Sequence, residues 1–374
     1  MASTLDHNII FVEILPKLPT KTLIRFKCVS KSFNSAISSP EVIDLHLRHH
    51  YRSSSDHLLI LAGNHHINCY NLRHSLPLST PISTFTWPHP SSIYVIGSSN
   101  GLLSVFVSKD DDRNNNHIGF LNPTTRCYTY TRIPLHGNCV FSLGFGFDRH
   151  TLDHKLVIVF HRYDEFDDEF DDKTQFIRVY SLNTDSWRPI QTQSQSDSII
   201  SGCVGVVINH NLVHWMMQVP SLNIHKIGCF NLSTNNWTND VLLPRYYYDP
   251  THENYILSDI GVLDGRYLVS YFWIQTESRY DVWVMKEYGV QDSWLPLWKG
   301  SMWSEWNVAP EPVFSRGGLD EVLISQWRSG KLYWYDTRSG RISDAIFHGD
   351  LFYTAQMCCV SHIELPGSKL FEES

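Results

Sequence analysis

The chain has 374 residues with a formal net charge of −8, and it is 42% apolar, with 12 Trp, 18 Tyr, 19 Phe, 20 Gly and 17 Pro. That length fits one large domain plus a small one, and frequent aromatics with many Gly and Pro favour an all-β body. No apolar run approaches the ~20 residues needed to span a bilayer and no leader pattern opens the chain, so a soluble protein of the cytoplasm or nucleus is expected, with no membrane partner.

The first predicted element is a set of short helices jointed by prolines, from Ile9 to Pro40. Ile10, Ile14 and Leu18 fall on one face at helical spacing, with Phe11 and Leu15 beside them. Pro19 ends that run, and Thr20 is placed to cap the next, where Leu23, Ile24 and Phe26 supply apolar contacts. Val29, Phe33, Ala36 and Ile37 form a third stripe, which Ser39-Pro40 stops. Pro40 to Arg48 reads as a last short helix. A block of this size encloses too little interior to be very stable alone, and its apolar residues wrap more than one side of each helix. It is therefore either a cap on the chain's own main domain or an interface for a partner. Residues 1–50 hold six Lys/Arg against four Asp/Glu, a net of +2, which leaves −10 for the remainder. A mildly basic head on an acidic body argues against nucleic acid as the main ligand.

Ser53-Ser54-Ser55 marks a boundary, and from His57 the texture changes to short strands bounded by Gly, Ser and Asn. Asn100-Gly101 and Asp264-Gly265 are hairpin dipeptides, because both central positions of a type I′ turn need positive φ. One phrase recurs: an apolar or aromatic residue, a polar one, then a turn rich in Asn, Ser and Thr. It starts at Tyr70, Leu121, Tyr180, Phe230, Met285 and Tyr335, at intervals of 51, 59, 50, 55 and 50 residues. Several copies end in Trp seven residues on, as Tyr180 to Trp187 and Phe230 to Trp237 show. A period near ~50 residues built from short strands is the length of a kelch-like propeller blade, so about six blades are expected. The run Met357 to Ile363 is placed to pair into the first blade and close the ring. An irregular β-sandwich is the alternative.

Two ordered sets of residues carry a resemblance to known families. Glu13-Ile14-Leu15, Leu18-Pro19, Lys21-Thr22-Leu23, Arg25 to Val29 and Lys31-Ser32-Phe33 resemble the plant form of the F-box, the module by which substrate receptors of SCF (Skp–cullin–F-box) ubiquitin ligases hold their adaptor. The usual opening Leu-Pro is Leu5-Asp6 here, and Phe33 stands where Trp is commoner. The body is similar to the F-box-associated domain of plant F-box proteins, including the S-locus F-box group. The matching phrases are Gly97 to Leu103, Leu121 to Arg126, Gly144 to Asp148, Val179 to Leu182, Leu212 to Trp215 and Val282 to Val290. The resemblance implies an F-box over 1–50, a linker over 51–56, a propeller over 57–365 and a tail over 366–374. It implies a non-catalytic receptor that binds a Skp-type adaptor, and through it a cullin and a RING subunit, and presents a protein substrate. An S-RNase-directed role in pollen is one special case. The adaptor-binding residues it implies are Ile9, Ile10, Glu13, Ile14, Leu15, Leu18, Pro19, Leu23, Val29, Lys31 and Phe33.

The remaining constellations are weighed on chemistry. The acidic run Asp164 to Asp172 reads as a solvated loop, or as a landing strip for a basic partner with Phe166 and Phe170 as anchors. Asp167, Asp168 and Phe170, then Arg245, Tyr246 and Tyr247, and then Trp303 and Trp306 are the expected substrate contacts, since aromatics with Arg favour binding hot spots. The same aromatics could instead cover blade edges. His210 and His214 flank a hairpin turn at Asn209-His210-Asn211, and His214-Trp215 reads as blade core rather than a metal site. The eight cysteines form no C-x-x-C pair and fit a reducing compartment. Gly144-Phe145-Gly146 lacks the third glycine of a dinucleotide fingerprint, and no nucleophile elbow or phosphate loop appears. No cofactor and no catalytic residue are assigned. A lectin-like or small-ligand propeller without a ligase role is the alternative from another class.

Overall fold

In a computed structural model of the chain, the described residues are 9–50, 57–72, 80–87, 91–108, 116–134, 139–162, 175–191, 198–208, 211–222, 224–248, 255–274, 277–298, 310–326, 330–343, 347–348, 352–361, 363 and 365–371. Short N-terminal helices precede an all-β body of six sheets. Ile9–Ile14 makes a wide turn of π-helical spacing and Leu15–Lys17 a 3₁₀ turn, and then come α1 (Thr20–Lys27), α2 (Lys31–Ile37) and α3 (Pro40–His50). Ser30 caps α2 by accepting from the Phe33 amide at 3.1 Å, and Ser39 caps α3, with Pro40 in the first-turn position that tolerates it.

Thr20 does not cap α1 as its position suggested, because Pro19 takes the cap position. Its hydroxyl turns inward to His46 Nε2 at 3.1 Å, while His46 Nδ1 meets the Pro16 carbonyl at 3.0 Å. The chain thus spends Thr20 on tying α3 to the first turn, in a site where an unpaired imidazole would be costly.

The six sheets are the blades of a propeller. Each contains an antiparallel meander, and the innermost strands touch their neighbours around a central axis. In blade 2 the order from the axis outward is Ser92–Ser99, Leu102–Ser108, His117–Asn122 and Cys127–Arg132. Blade 3 runs Cys139–Asp148, Asp153–Arg162, Gln175–Ser181 and Ser186–Ile190, and blade 5 runs Tyr255–Leu263, Tyr267–Ile274, Arg279–Met285 and Trp294–Trp298. In blade 4 the axial position is shared by Ile199–Ile200 and Val206–Ile208. Blade 6 begins with Pro310–Arg316.

Blade 1 is closed by the far end of the chain. Phe352–Cys359 pairs with His57–Gly63 and supplies the axial strand, so the first blade has no free inner edge. The closing strand starts earlier and ends earlier than the run from Met357 suggested. Beyond Cys359 the chain leaves the ladder and is held by Asn122, whose amide donates to the Ser361 and Ile363 carbonyls.

The recurring phrase is the turn between the third and fourth strands of a blade. The side chain of Asn122 accepts from the Thr124 and Thr125 amides, Asn231 from Ser233 and Thr234, and Asp336 from Arg338 and Ser339. These turns need a short acceptor side chain, which explains the Asn and Asp. The seven-residue offset is the hairpin register: Tyr180 stands opposite Trp187, Phe230 opposite Trp237 and Tyr335 opposite Ile342. Asn100 (φ 49°) and Gly101 (φ 81°) form the expected tight turn, as do Asp264 (φ 57°) and Gly265 (φ 67°).

Hydrophobic cores fill the wedges between blades. The helices are not wholly apart from this body, because Ile43 of α3 packs against the cluster between blades 2 and 3. The body also extends past the expected end at 365. Lys369–Leu370 adds a fifth strand to blade 2, and Phe371 is buried in the core between blades 1 and 2.

Candidate functional site

The helical block divides its apolar residues into two groups. Leu15, Leu23, Ile37 and Val42 form its own core, with Ile10, Phe11, Leu18, Phe26 and Phe33 packed against them. Phe33 meets Phe11 and Phe26 edge-on, with centroids at 5.8 and 6.1 Å. The second group faces solvent: Ile9 at 45%, Val12 at 48%, Ile14 at 41% and Val29 at 66% exposure. Pro19, Glu13 and Lys31 are exposed as well, and Glu13 is paired with Lys17 at 3.0 Å.

The adaptor-binding set predicted from sequence is therefore split. Ile9, Glu13, Ile14, Pro19, Val29 and Lys31 lie where a partner can reach them, whereas Leu15 and Leu23 shape the module from within. Ile10, Leu18 and Phe33 are partly buried between the two. Val12 was missed. It lies on the opening turn with Ile9 and Ile14, and helical periodicity alone could not tell which side of so short a segment faces the core. Large apolar side chains left in water at a protein surface mark interaction sites when they gather.

Of the expected substrate contacts, Asp167, Asp168, Phe170, Trp303 and Trp306 lie outside the described residues, as does the side chain of Tyr246. Arg245 is exposed and grips Asp292 with two hydrogen bonds, Nε to Oδ1 at 2.5 Å and Nη2 to Oδ2 at 3.2 Å. Tyr247 bonds His225 Nδ1 at 2.5 Å and leans on the Phe272 ring, so it acts as cover for the seam between blades 4 and 5. Sequence reasoning missed the apolar residues around it. Leu242, Val290 and Leu295 are each about half exposed, and the Trp294 indole donating to the Leu242 carbonyl at 2.9 Å fixes that surface.

A channel of about 630 Å³ runs along the propeller axis, lined by the innermost strands. Asp259 and Glu311 enter it from adjacent blades 5 and 6. Asp259 is exposed to the channel but walled in by the surrounding strands, and this enclosure raises its carboxyl to about 6; Glu311 is pushed up to about 7 by the same enclosure and by the Asp259 charge beside it. The channel was not foreseen as a lined cavity, since the acids that face it are set by blade geometry and not by a motif.

His214 is fully buried, with Nδ1 at 3.1 Å from the Val206 carbonyl and Nε2 at 2.6 Å from the Tyr288 hydroxyl. Burial lowers its pKa to about 4, so it is neutral and occupied on both nitrogens. Among the described residues no group of three or more His, Cys, Asp or Glu converges on a metal-sized site.

Comparison with known proteins agrees with this layout. Residues 9–44 match the F-box domain and residues 57–347 match the F-box associated beta propeller domain. The chain is 28% identical over 362 residues to F-box protein CPR1 of Arabidopsis thaliana, covering 88% of this chain and 82% of that protein. It is 26% identical over 380 residues to the Arabidopsis F-box protein At4g22390, covering 92% and 87%. To the Arabidopsis F-box/kelch-repeat protein At3g23880 it is 25% identical over 364 residues, covering 90% and 89%.

Proposed function

The chain belongs to the plant F-box proteins that carry an F-box associated β-propeller domain, and from that premise we propose that it is the substrate-recognition subunit of an SCF-type ubiquitin ligase. The helical block holds the Skp-type adaptor, and through it a cullin and a RING subunit. The propeller holds the protein to be ubiquitinated, and a separate conjugating enzyme supplies the chemistry. The observation that carries the reading is the exposure of Ile9, Val12, Ile14 and Val29 on a block whose own core is already filled by Leu15, Leu23, Ile37 and Val42. Such residues cost solvation free energy unless a partner covers them.

Work on the substrate falls to the propeller, where loops on a rigid scaffold are free to vary. The phrases shared with the S-locus group lie in strands and hairpin turns, so they favour no particular target, S-RNase included. No helix among the described residues is long and apolar enough to cross a membrane. The test is co-purification of adaptor and cullin with the full chain and with a chain lacking residues 1–50. The reading expects recovery with the first and none with the second; equal recovery would refute it.

A further inference from the structure

The C-terminal segment sits in a place built for an extended peptide. Lys369 and Leu370 pair antiparallel with Tyr128 and Cys127 on the outer strand of blade 2, and the Phe371 amide donates to the Arg126 carbonyl at 3.1 Å. Phe371 then drops between blades. Its ring lies 4.2 Å from Tyr128, 5.0 Å from Phe85 and 6.1 Å from Trp87, centroid to centroid, and is 7% exposed. The Arg126 guanidinium covers Phe85 at 5.1 Å. Backbone pairing plus one deep aromatic pocket is how an added strand is recognised at a sheet edge.

The resident segment uses this edge poorly. It pairs over two residues only, and Leu370 is 70% exposed. Just before Lys369 the chain turns away: Ser368 donates to the Leu365 carbonyl at 3.2 Å, and Gly367 sits at φ 61°. In the antiparallel register, the residues preceding Lys369 would face Thr129, Tyr130, Thr131 and Arg132. No described residue pairs with the backbone of those four on that side. Tyr130 is half exposed there, with Lys369 Nζ over its ring at 5.6 Å. A peptide without the Pro366-Gly367 turn could run on along this edge.

We propose that the cleft between the outer strands of blades 1 and 2, lined by Phe85, Trp87 and Tyr128, recognises an extended peptide that places a phenylalanine in that pocket. The chain's own residues 368–371 are its resident occupant, displaced by a partner that continues along Thr129 to Arg132. As an account of substrate class this rests on the receptor reading; the binding step itself involves no adaptor.

The test uses the full chain carrying Phe371→Ala, which empties the pocket without shortening the protein. Two fluorescent peptides are titrated. One has the sequence of residues 365–374, and the other replaces its first four residues by Val-Thr-Val-Thr. The proposal expects both to bind the variant, the second about tenfold more tightly because it pairs with more of the edge. It expects wild type to bind at least several-fold more weakly, and replacement of the peptide's phenylalanine by alanine to abolish binding. Gly367→Ala in the full chain is the second variant, because alanine strains the left-handed turn without meeting any atom. It should raise the affinity of the second peptide several-fold over wild type. Three results overturn the proposal: no binding to a folded Phe371→Ala chain, equal binding to wild type and variant, or unfolding of the propeller by Phe371→Ala, which would make this residue simple core. If the peptides fail while adaptor is still captured, the cleft assignment falls and the receptor reading stands.

Discussion

The side chain of Asn122 ties blade 2 to the segment that follows the closing strand: its Nδ2 donates to the Ile363 carbonyl at 2.8 Å and reaches the Ser361 carbonyl at 3.3 Å, while its Oδ1 holds the turn at Thr124. Asn122 is fully buried. Asn122→Asp keeps the acceptor that makes the turn and loses the donors that hold the closing segment. Leaving a buried carbonyl unsatisfied costs about 1–3 kcal/mol. Both Asn122→Asp and Asn122→Ala should lower the melting temperature, and hydrogen exchange should rise first in residues 352–359.

Trp215 explains two glycines. A Cβ on Gly144 would lie 2.4 Å from Val213 and 2.7 Å from the Trp215 ring, and one on Gly205 would lie 2.5 Å from that ring. Trp215 is fully buried, so it has nowhere to go. Gly144→Ala should destabilise the propeller by about 1–3 kcal/mol through overpacking, measured by denaturant unfolding. Gly318→Ala, with open space around its Cβ but a φ of 71°, tests backbone strain without a clash.

The channel acids predict a pH dependence. Their folded pKa values are raised, so the folded state binds protons more tightly than the unfolded chain. The stability they contribute is fully present below the unfolded carboxylate pKa of about 4 and is lost as pH rises through about 6 and 7. Melting temperature should therefore fall between pH ~5 and ~8, and Glu311→Gln should flatten that slope. Asp148 acts in the opposite sense. Burial alone would raise it, but donors from Lys155, Ser233, Thr151 and the His150 amide outweigh burial and hold it down to about 2. Its contribution is present above the unfolded value of 3.8 and disappears as pH falls towards 2.

The architecture was legible from the chain because one physical unit repeats. Asn122, Asn231 and Asp336 each close a turn with a short acceptor, and the residues just before them, Leu121, Phe230 and Tyr335, stand opposite the residues seven positions on, Tyr128, Trp237 and Ile342, so spacing in sequence is register in space. Two features were hidden. Phe371 follows the two-residue strand Lys369–Leu370, and its burial depends on rings of blades 1 and 2, which no local pattern announces. In the helical block, Leu23 and Val29 look alike in sequence, yet only the packing of α1 on α2 and α3 sends one inward and leaves the other in water.

That difference yields a paired prediction. Leu23→Arg buries a charge in the core of the block and should unfold it, with a loss of about 3 kcal/mol or more. Hydrogen exchange should rise throughout residues 9–44 while the propeller strands keep their protection.

Val29→Arg on the full chain, titrated with purified Skp-type adaptor, tests the central claim most directly. The account predicts that affinity falls at least about tenfold, ~1.4 kcal/mol, with the melting temperature unchanged. Wild-type affinity in Val29→Arg and also in Ile14→Arg would contradict it and place the adaptor elsewhere on the chain.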